Sequence, residues 1–229
     1  MKVVLFDIDG TMLTTHGAGR RALERAMHEE FSATGQDGYH YDGKTDRQIV
    51  REQMRVAGLS DEAIDAGMDT IISSYLDYLS QELTHGPERA TLLAGVVNLL
   101  DGLRDRSDVM LGLLTGNVRD GARHKLRAVG VDFDQFLVTA FGSDHEQRPE
   151  LPEIARSRAQ ALLNDPIQGS QLVIIGDTPA DIACGRSIGT RAIAVATGRY
   201  SVNELASHEP AAVFTSLHET GAVIEAILA

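Results

Sequence analysis

The chain has 229 residues, 43% apolar and 24% charged, which fits an ordinary folded protein and excludes disordered and fibrous classes. Its 33 acidic against 21 basic side chains give a formal net charge of -12. Such a surface repels polyanions, so no nucleic-acid partner is expected, and an anionic substrate would need a local cationic site. Cys184 is the only cysteine, which excludes an intrachain disulfide and a cysteine-rich zinc site. The apolar runs are strand-sized, so no membrane span is expected, and Val3–Phe6 is too short for a signal peptide. A reducing, cytoplasmic compartment is the simplest setting.

In chain order, Val3–Phe6 is a short, wholly apolar run of the kind buried on both faces of a parallel sheet. From Gly17 to His85 the pattern changes to helices, at Ala18–Phe31, Asp46–Ala57 and Asp61–Leu83, around a Gly-rich, Tyr-containing connection at Gly35–Gly43. This stretch reads as an all-α insertion. The expected division is residues 1–15 plus 86–229 as an α/β core and 16–85 as a helical cap. After Pro87, strand-like runs at Met110–Leu114, Leu172–Ile175 and Ala192–Ala196 alternate with helices. These helices fall at Ala94–Arg106, Arg119–Val129, Pro152–Leu163 and Ala180–Ile188. Alternation of this kind predicts a three-layer α/β/α architecture around a parallel sheet, with every strand C-terminus on one ligand-binding edge.

Four segments at predicted strand ends carry polar chemistry. The first is Asp7-Ile8-Asp9-Gly10-Thr11, where two acids meet at a turn. Crowded carboxylates suit a divalent cation or a shared proton; taken alone they also describe an Asp-Gly turn with solvated acids. The second, Thr115-Gly116-Asn117, places a hydroxyl and free N–H groups before a helix, an anion site or an ordinary N-cap. The third, Arg148-Pro149-Glu150, offers a cation to the same edge or a surface arginine. The fourth, Gly176-Asp177-Thr178-Pro179-Ala180-Asp181, adds two acids, the second of which would also complement a helix N-terminus.

In this order the four segments resemble the haloacid dehalogenase superfamily, and the layout is similar to its phosphoglycolate-phosphatase-like branch with a helical cap. The resemblance covers essentially the whole chain. It implies a magnesium-dependent phosphohydrolase acting on a small phosphorylated metabolite. Asp7 would be the nucleophile that forms an aspartyl-phosphate, and Asp9 the acid and then the base. Magnesium would be held by Asp7, Asp177, the Asp9 carbonyl and, directly or through water, Asp181. Gly10, Thr115, Gly116, Asn117 and Arg148 would hold the phosphoryl group. Family members commonly carry lysine where Arg148 stands; arginine keeps the charge but not the compact ammonium. Asp9 argues against dehalogenation, whose halide needs no proton. Lys44 and Arg47, in the cap, are candidates for substrate specificity, although Asp46 could instead simply cap a helix there. Phosphosugar mutase activity and a silent binding role are the alternatives. Oligomeric state and the identity of the ester stay open. Cys184 is expected to be a packing thiol, and His16, His85, His124 and His145 surface residues.

Overall fold

The computed structural model describes residues Met1–Ala229. In chain order its elements are β1 (Lys2–Phe6), β2 (Leu13–Thr14), α1 (Ala18–Phe31), α2 (Asp46–Val56), α3 (Asp61–His85) and β3 (Thr91–Leu92). There follow α4 (Val96–Arg104), β4 (Val109–Thr115), α5 (Arg119–Ala128), β5 (Val138–Phe141), α6 (Leu151–Leu163) and β6 (Leu172–Gly176). The chain closes with α7 (Pro179–Cys184), β7 (Arg191–Val195), α8 (Val202–Ala206), β8 (Ala212–Phe214) and α9 (Thr220–Leu228).

Six strands form one sheet in the order β5-β4-β1-β6-β7-β8, and every pairing is parallel. Alternate residues of each strand face opposite layers. Val4 and Phe6 of β1 join Val173 and Ile175 of β6 under α4, α5 and α9, with Leu99, Leu126 and Ile227 among the contacts. Val3, Leu5, Leu172 and Ile174 face the other way, onto Leu151, Ala155 and Ala159 of α6 and Cys184 of α7. With both faces covered, the central strands must be apolar where they are buried, as β1 is from Val3 onward and β6 is throughout. The expected three-layer α/β/α fold is the one observed.

Helices α1, α2 and α3 pack on one another around Leu23, Met27, Val50, Met54, Ile64, Met68 and Ile71, a core separate from those on the sheet. The 25-residue α3, about 37 Å long at 1.5 Å per residue, starts at Ser60, whose hydroxyl accepts from Ala63 N–H. It ends before Gly86-Pro87, where proline cannot continue a helix. The chain leaves the sheet region through β2 and returns through β3, and these two-residue strands pair antiparallel, Leu13 with Leu92 and Thr14 with Thr91. No helix is long and apolar enough to cross a membrane.

Some boundaries differ from those the sequence suggests. The helix expected over Ala94–Arg106 begins only at Val96, because Gly95 sits at φ +87° as the residue before it. The helix expected to run to Ile188 stops at Cys184 and continues as a 3-10 turn over Arg186–Ile188. Strands β2, β3, β5 and β8 were not anticipated.

Candidate active site

The chain builds the sheet outward from β1 in both directions, to β4 and β5 on one side and to β6, β7 and β8 on the other. The connections therefore diverge beyond the C-terminal end of β1 and leave a crevice there. Phe6 is level with Leu113 of β4 and Ile175 of β6. The residues after it, Asp7 onward, thus emerge beside Thr115 and Gly176-Asp177.

Asp7 continues the ladder, its N–H donating to Ile175 O at 2.9 Å. The backbone then turns: Ile8 O accepts from the N–H groups of Thr11, Met12 and Leu13. Gly10 makes this turn at φ +79°, and a Cβ there would lie 2.4 Å from Asp177 Oδ2. Glycine is required both by conformation and by space.

Asp7, Asp177 and Asp181 are all buried, and each offers a carboxylate oxygen within 4.8 Å of the others. Arg148, 3% exposed, lies among them, with one terminal nitrogen 3.2 Å from Asp7 Oδ1 and hydrogen-bonded to Asp181. Asp181 spends its other oxygen on a capping box at the start of α7, accepting from Thr178 N–H at 3.0 Å and Thr178 Oγ1 at 2.7 Å. Asp177 Oδ1 accepts from Thr11 at 3.0 Å. Burial pushes the Asp7 carboxyl up to about 6, with Arg148 opposing and Asp181 and Asp9 adding to the rise. Burial, then repulsion from Asp181 and Asp7, raises Asp177 well above the ordinary carboxylate range. Three buried acids against one guanidinium are short of positive charge. Their donors are all hard oxygens, so the set fits a magnesium ion.

Asp9 stands apart from this cluster. Its Oδ2 accepts from Lys125 Nζ at 2.6 Å and from Asn117 Nδ2 at 2.8 Å, so its carboxylate is turned away from the three acids. Asn117 also donates to Thr115 Oγ1 at 2.8 Å and takes Lys125 on its carbonyl oxygen. Thr115 in turn favours the ionised form of Asp7 beside it. Thr115, Asn117, Lys125 and Asp9 thus form one connected chain of polar groups beside Asp7.

The segment before α2 closes over this site. Asp46 N–H donates to Gly116 O at 2.8 Å, and Asp46 Oδ2 accepts from Val118 N–H at 2.8 Å. Thr45 Oγ1 donates to Glu146 O at 2.6 Å and accepts from Gln48 N–H at 3.1 Å, capping α2. A Cβ on Gly116 would lie 2.0 Å from Lys44 O, so only glycine allows this approach. Burial raises the Asp46 carboxyl to about 6, against the opposing effects of Lys125 and the Val118 N–H.

Between the helices and the sheet edge lies a cavity of about 280 Å3, lined by Asp7, Asp9, Thr115, Asn117, Arg148 and Asp177 at its floor. Lys44 lines the opposite wall, paired with Glu52. Arg47 does not reach the cavity. One residue further round α2 from Asp46 is a turn of about 100°, and its guanidinium lies 3.8 Å from Asp69 of α3. Arg20, Asp46 and Lys125 line the cavity without having been singled out from the sequence. A signal for Lys125 existed: it shares the buried stripe of α5 with Ala122 and Leu126. Cys184 is buried and free, with its thiol pushed up to about 12 by burial.

The family model described as haloacid dehalogenase-like hydrolase matches residues 4–195. A phosphoglycolate phosphatase of Rhodospirillum rubrum is 25% identical over 224 residues, 96% of this chain and 89% of its own. A pyrophosphatase, PpaX, of Bacillus pumilus is 25% identical over 232 residues, 99% of this chain and 97% of its own. The crystal structure of a hydrolase from Pseudomonas syringae has the same fold, with a TM-score of 0.71, 19% identity and 99% of each chain covered.

Proposed function

The chain belongs to the haloacid dehalogenase-like hydrolase family, and on that premise we propose that it is a magnesium-dependent phosphatase of small phosphate monoesters. The observation that carries this reading is the buried triad Asp7, Asp177 and Asp181 at the tip of the central strand, with Asp7 and Asp177 lining a polar cavity. The name of the R. rubrum relative, a phosphoglycolate phosphatase, supports it, and that of the B. pumilus relative, a pyrophosphatase, supports phosphate hydrolysis more broadly.

Asp7 and Asp177 would hold the metal, joined by the Asp9 carbonyl, with Asp181 supporting them through Arg148 or a water. When bound, magnesium would neutralise and orient the transferring phosphoryl group. Asp7 is the nucleophile: its carboxylate oxygen bonds to phosphorus while the ester P–O bond breaks. Asp9 donates a proton to the departing alkoxide oxygen and then takes one from the water that cleaves the aspartyl-phosphate. Lys125 and Asn117 hold the Asp9 carboxylate for both transfers. Thr115 and the N–H groups of Gly116 and Asn117 receive phosphoryl oxygens, and Arg148 balances their charge. Residues 16–85 act as a cap that shuts out water and pivots on the β2–β3 pair. A reducing cytoplasm, where the free Cys184 thiol stays reduced, is the setting we assign.

The test is hydrolysis of a panel of phosphate monoesters with magnesium and with EDTA. Turnover should need magnesium and fall at least about a thousandfold in Asp7→Asn, with its circular dichroism unchanged. Undiminished turnover in Asp7→Asn or in EDTA would overturn the reading.

A further inference from the structure

Resting on the phosphatase reading, we propose that the cavity takes phosphate esters of uncharged polyols and discriminates against esters whose alcohol part carries a carboxylate. The observation is the charge pairing of the cavity wall. Four cations line it, Arg20, Lys44, Lys125 and Arg148, and each already faces an acid of the protein. Arg20 Nη1 lies 3.1 Å from Glu24 Oε1, and its Nη2 donates to Tyr39 O at 2.6 Å. Lys44 Nζ sits between Glu52 and the Tyr39 hydroxyl. Lys125 holds Asp9, and Arg148 holds Asp7 and Asp181.

The two acid-paired cations at the cap end, Arg20 and Lys44, are held on both sides by acceptors. Glu52 is partly buried, yet hydrogen bonds from Lys44, Tyr39 and Gln48 keep its carboxyl below the ordinary range. A substrate carboxylate drawn to Lys44 would have to displace Glu52 and leave one of two anions without a partner. The same wall carries Asp46, which has no ion-pair partner and would repel it further, while Asp42 beside it is 3.7 Å from Arg199. Hydroxyl groups meet the opposite reception. Asp46 spends one carboxylate oxygen on Val118 N–H and no protein donor takes the other. Thr14, Thr15 and Tyr75 bring hydroxyls to the wall, and only four of its residues are hydrophobic. Such a surface matches alcohols that both donate and accept hydrogen bonds.

The experiment compares glycerol 3-phosphate with 3-phosphoglycerate, which differ by a hydroxymethyl group against a carboxylate, with p-nitrophenyl phosphate as a reporter of phosphatase activity. We expect kcat/KM to favour glycerol 3-phosphate by at least about tenfold. Glu52→Gln, which releases Lys44, should narrow that ratio several-fold by raising the efficiency on 3-phosphoglycerate. Glu24→Gln, which releases Arg20, gives an independent second variant. Equal or better hydrolysis of 3-phosphoglycerate by the natural chain, or hydrolysis of p-nitrophenyl phosphate alone, overturns the inference and leaves the phosphatase reading standing. Hydrolysis of none of the three overturns both.

Discussion

Arg148 holds two of three buried carboxylates, and no other cation reaches Asp7 or Asp181. Removing it leaves those charges desolvated and unpaired, which costs about 3–5 kcal/mol in comparable buried pairs. Arg148→Ala should therefore lose most phosphatase activity and unfold at lower urea. Millimolar magnesium should restore more stability to the variant than it adds to the natural chain. Equal magnesium effects on both would show that the guanidinium and the metal do not share the acids. Asp46 makes a second prediction with a definite sign. Its carboxyl is raised from 3.8 to about 6, so the folded state holds a proton that the unfolded chain releases earlier. Stability thus falls as pH rises from about 4 to 6 and stays reduced above that. Asp46→Asn keeps the acceptor for Val118 N–H and removes this loss. It should gain up to about 3 kcal/mol at pH 8, less a few tenths for the negative charge lost at the α2 N-terminus, and nothing near pH 4. A gain of the same size at both pH values would contradict the buried, protonatable Asp46. Asp7, Thr115 and Asp177 were legible because each stands at the end of an apolar strand run, and Asp181 because it falls in the first turn of the helix that follows one. Lys125 showed only through its place on the buried stripe of α5, and Asp46 did not show as a cavity residue at all, because an acid in the first turn of a helix looks the same whether it faces water or a cavity.

Helix α2 is held at its first turn by Thr45, which is fully buried. The Thr45 hydroxyl caps the helix and also ties it to the carbonyl of Glu146, far off in the chain. Losing an N-cap hydroxyl costs about 0.5–2 kcal/mol, and the second bond places Thr45→Ala at the upper end. Amide exchange should accelerate in residues 43–50 and not in the strands of the sheet. Acceleration spread evenly through the chain would mean that the segment is no separate latch. The long helices of this region were readable from their spacing and from Pro87 after the last of them, whereas the cap of α2 is Thr45 and not Asp46, the residue the sequence offered for that role. The strands that escaped notice have other properties. Val138–Phe141 includes a threonine, Ala212–Phe214 is a three-residue edge strand, and β2 and β3 are two residues each. Such short segments owe their extended form to neighbours across the sheet, which no local window contains.

The molecule as a whole carries a charge of -12 yet is read here as handling an anion. The order of the sheet reconciles the two. With β1 at the point where the strand order reverses, four loops distant in sequence meet at one crevice and put Asp7, Thr115, Arg148 and Asp177 within a single cavity. There a guanidinium and a metal can outweigh the long-range repulsion, which salt screens within about 8 Å. The parallel core followed from alternating apolar runs and helices; the closure of the helical layer over the cavity did not, since it depends on backbone contacts such as Lys44 against Gly116. The central claim, phosphoryl transfer to Asp7, is tested most directly by rapid acid quenching during turnover of a phosphate-labelled ester with magnesium, followed by peptide mapping. The label should appear on the peptide containing Asp7, disappear on mild base treatment, and be absent from Asp7→Asn. Steady turnover with no labelled protein, or label on another residue, would contradict the account.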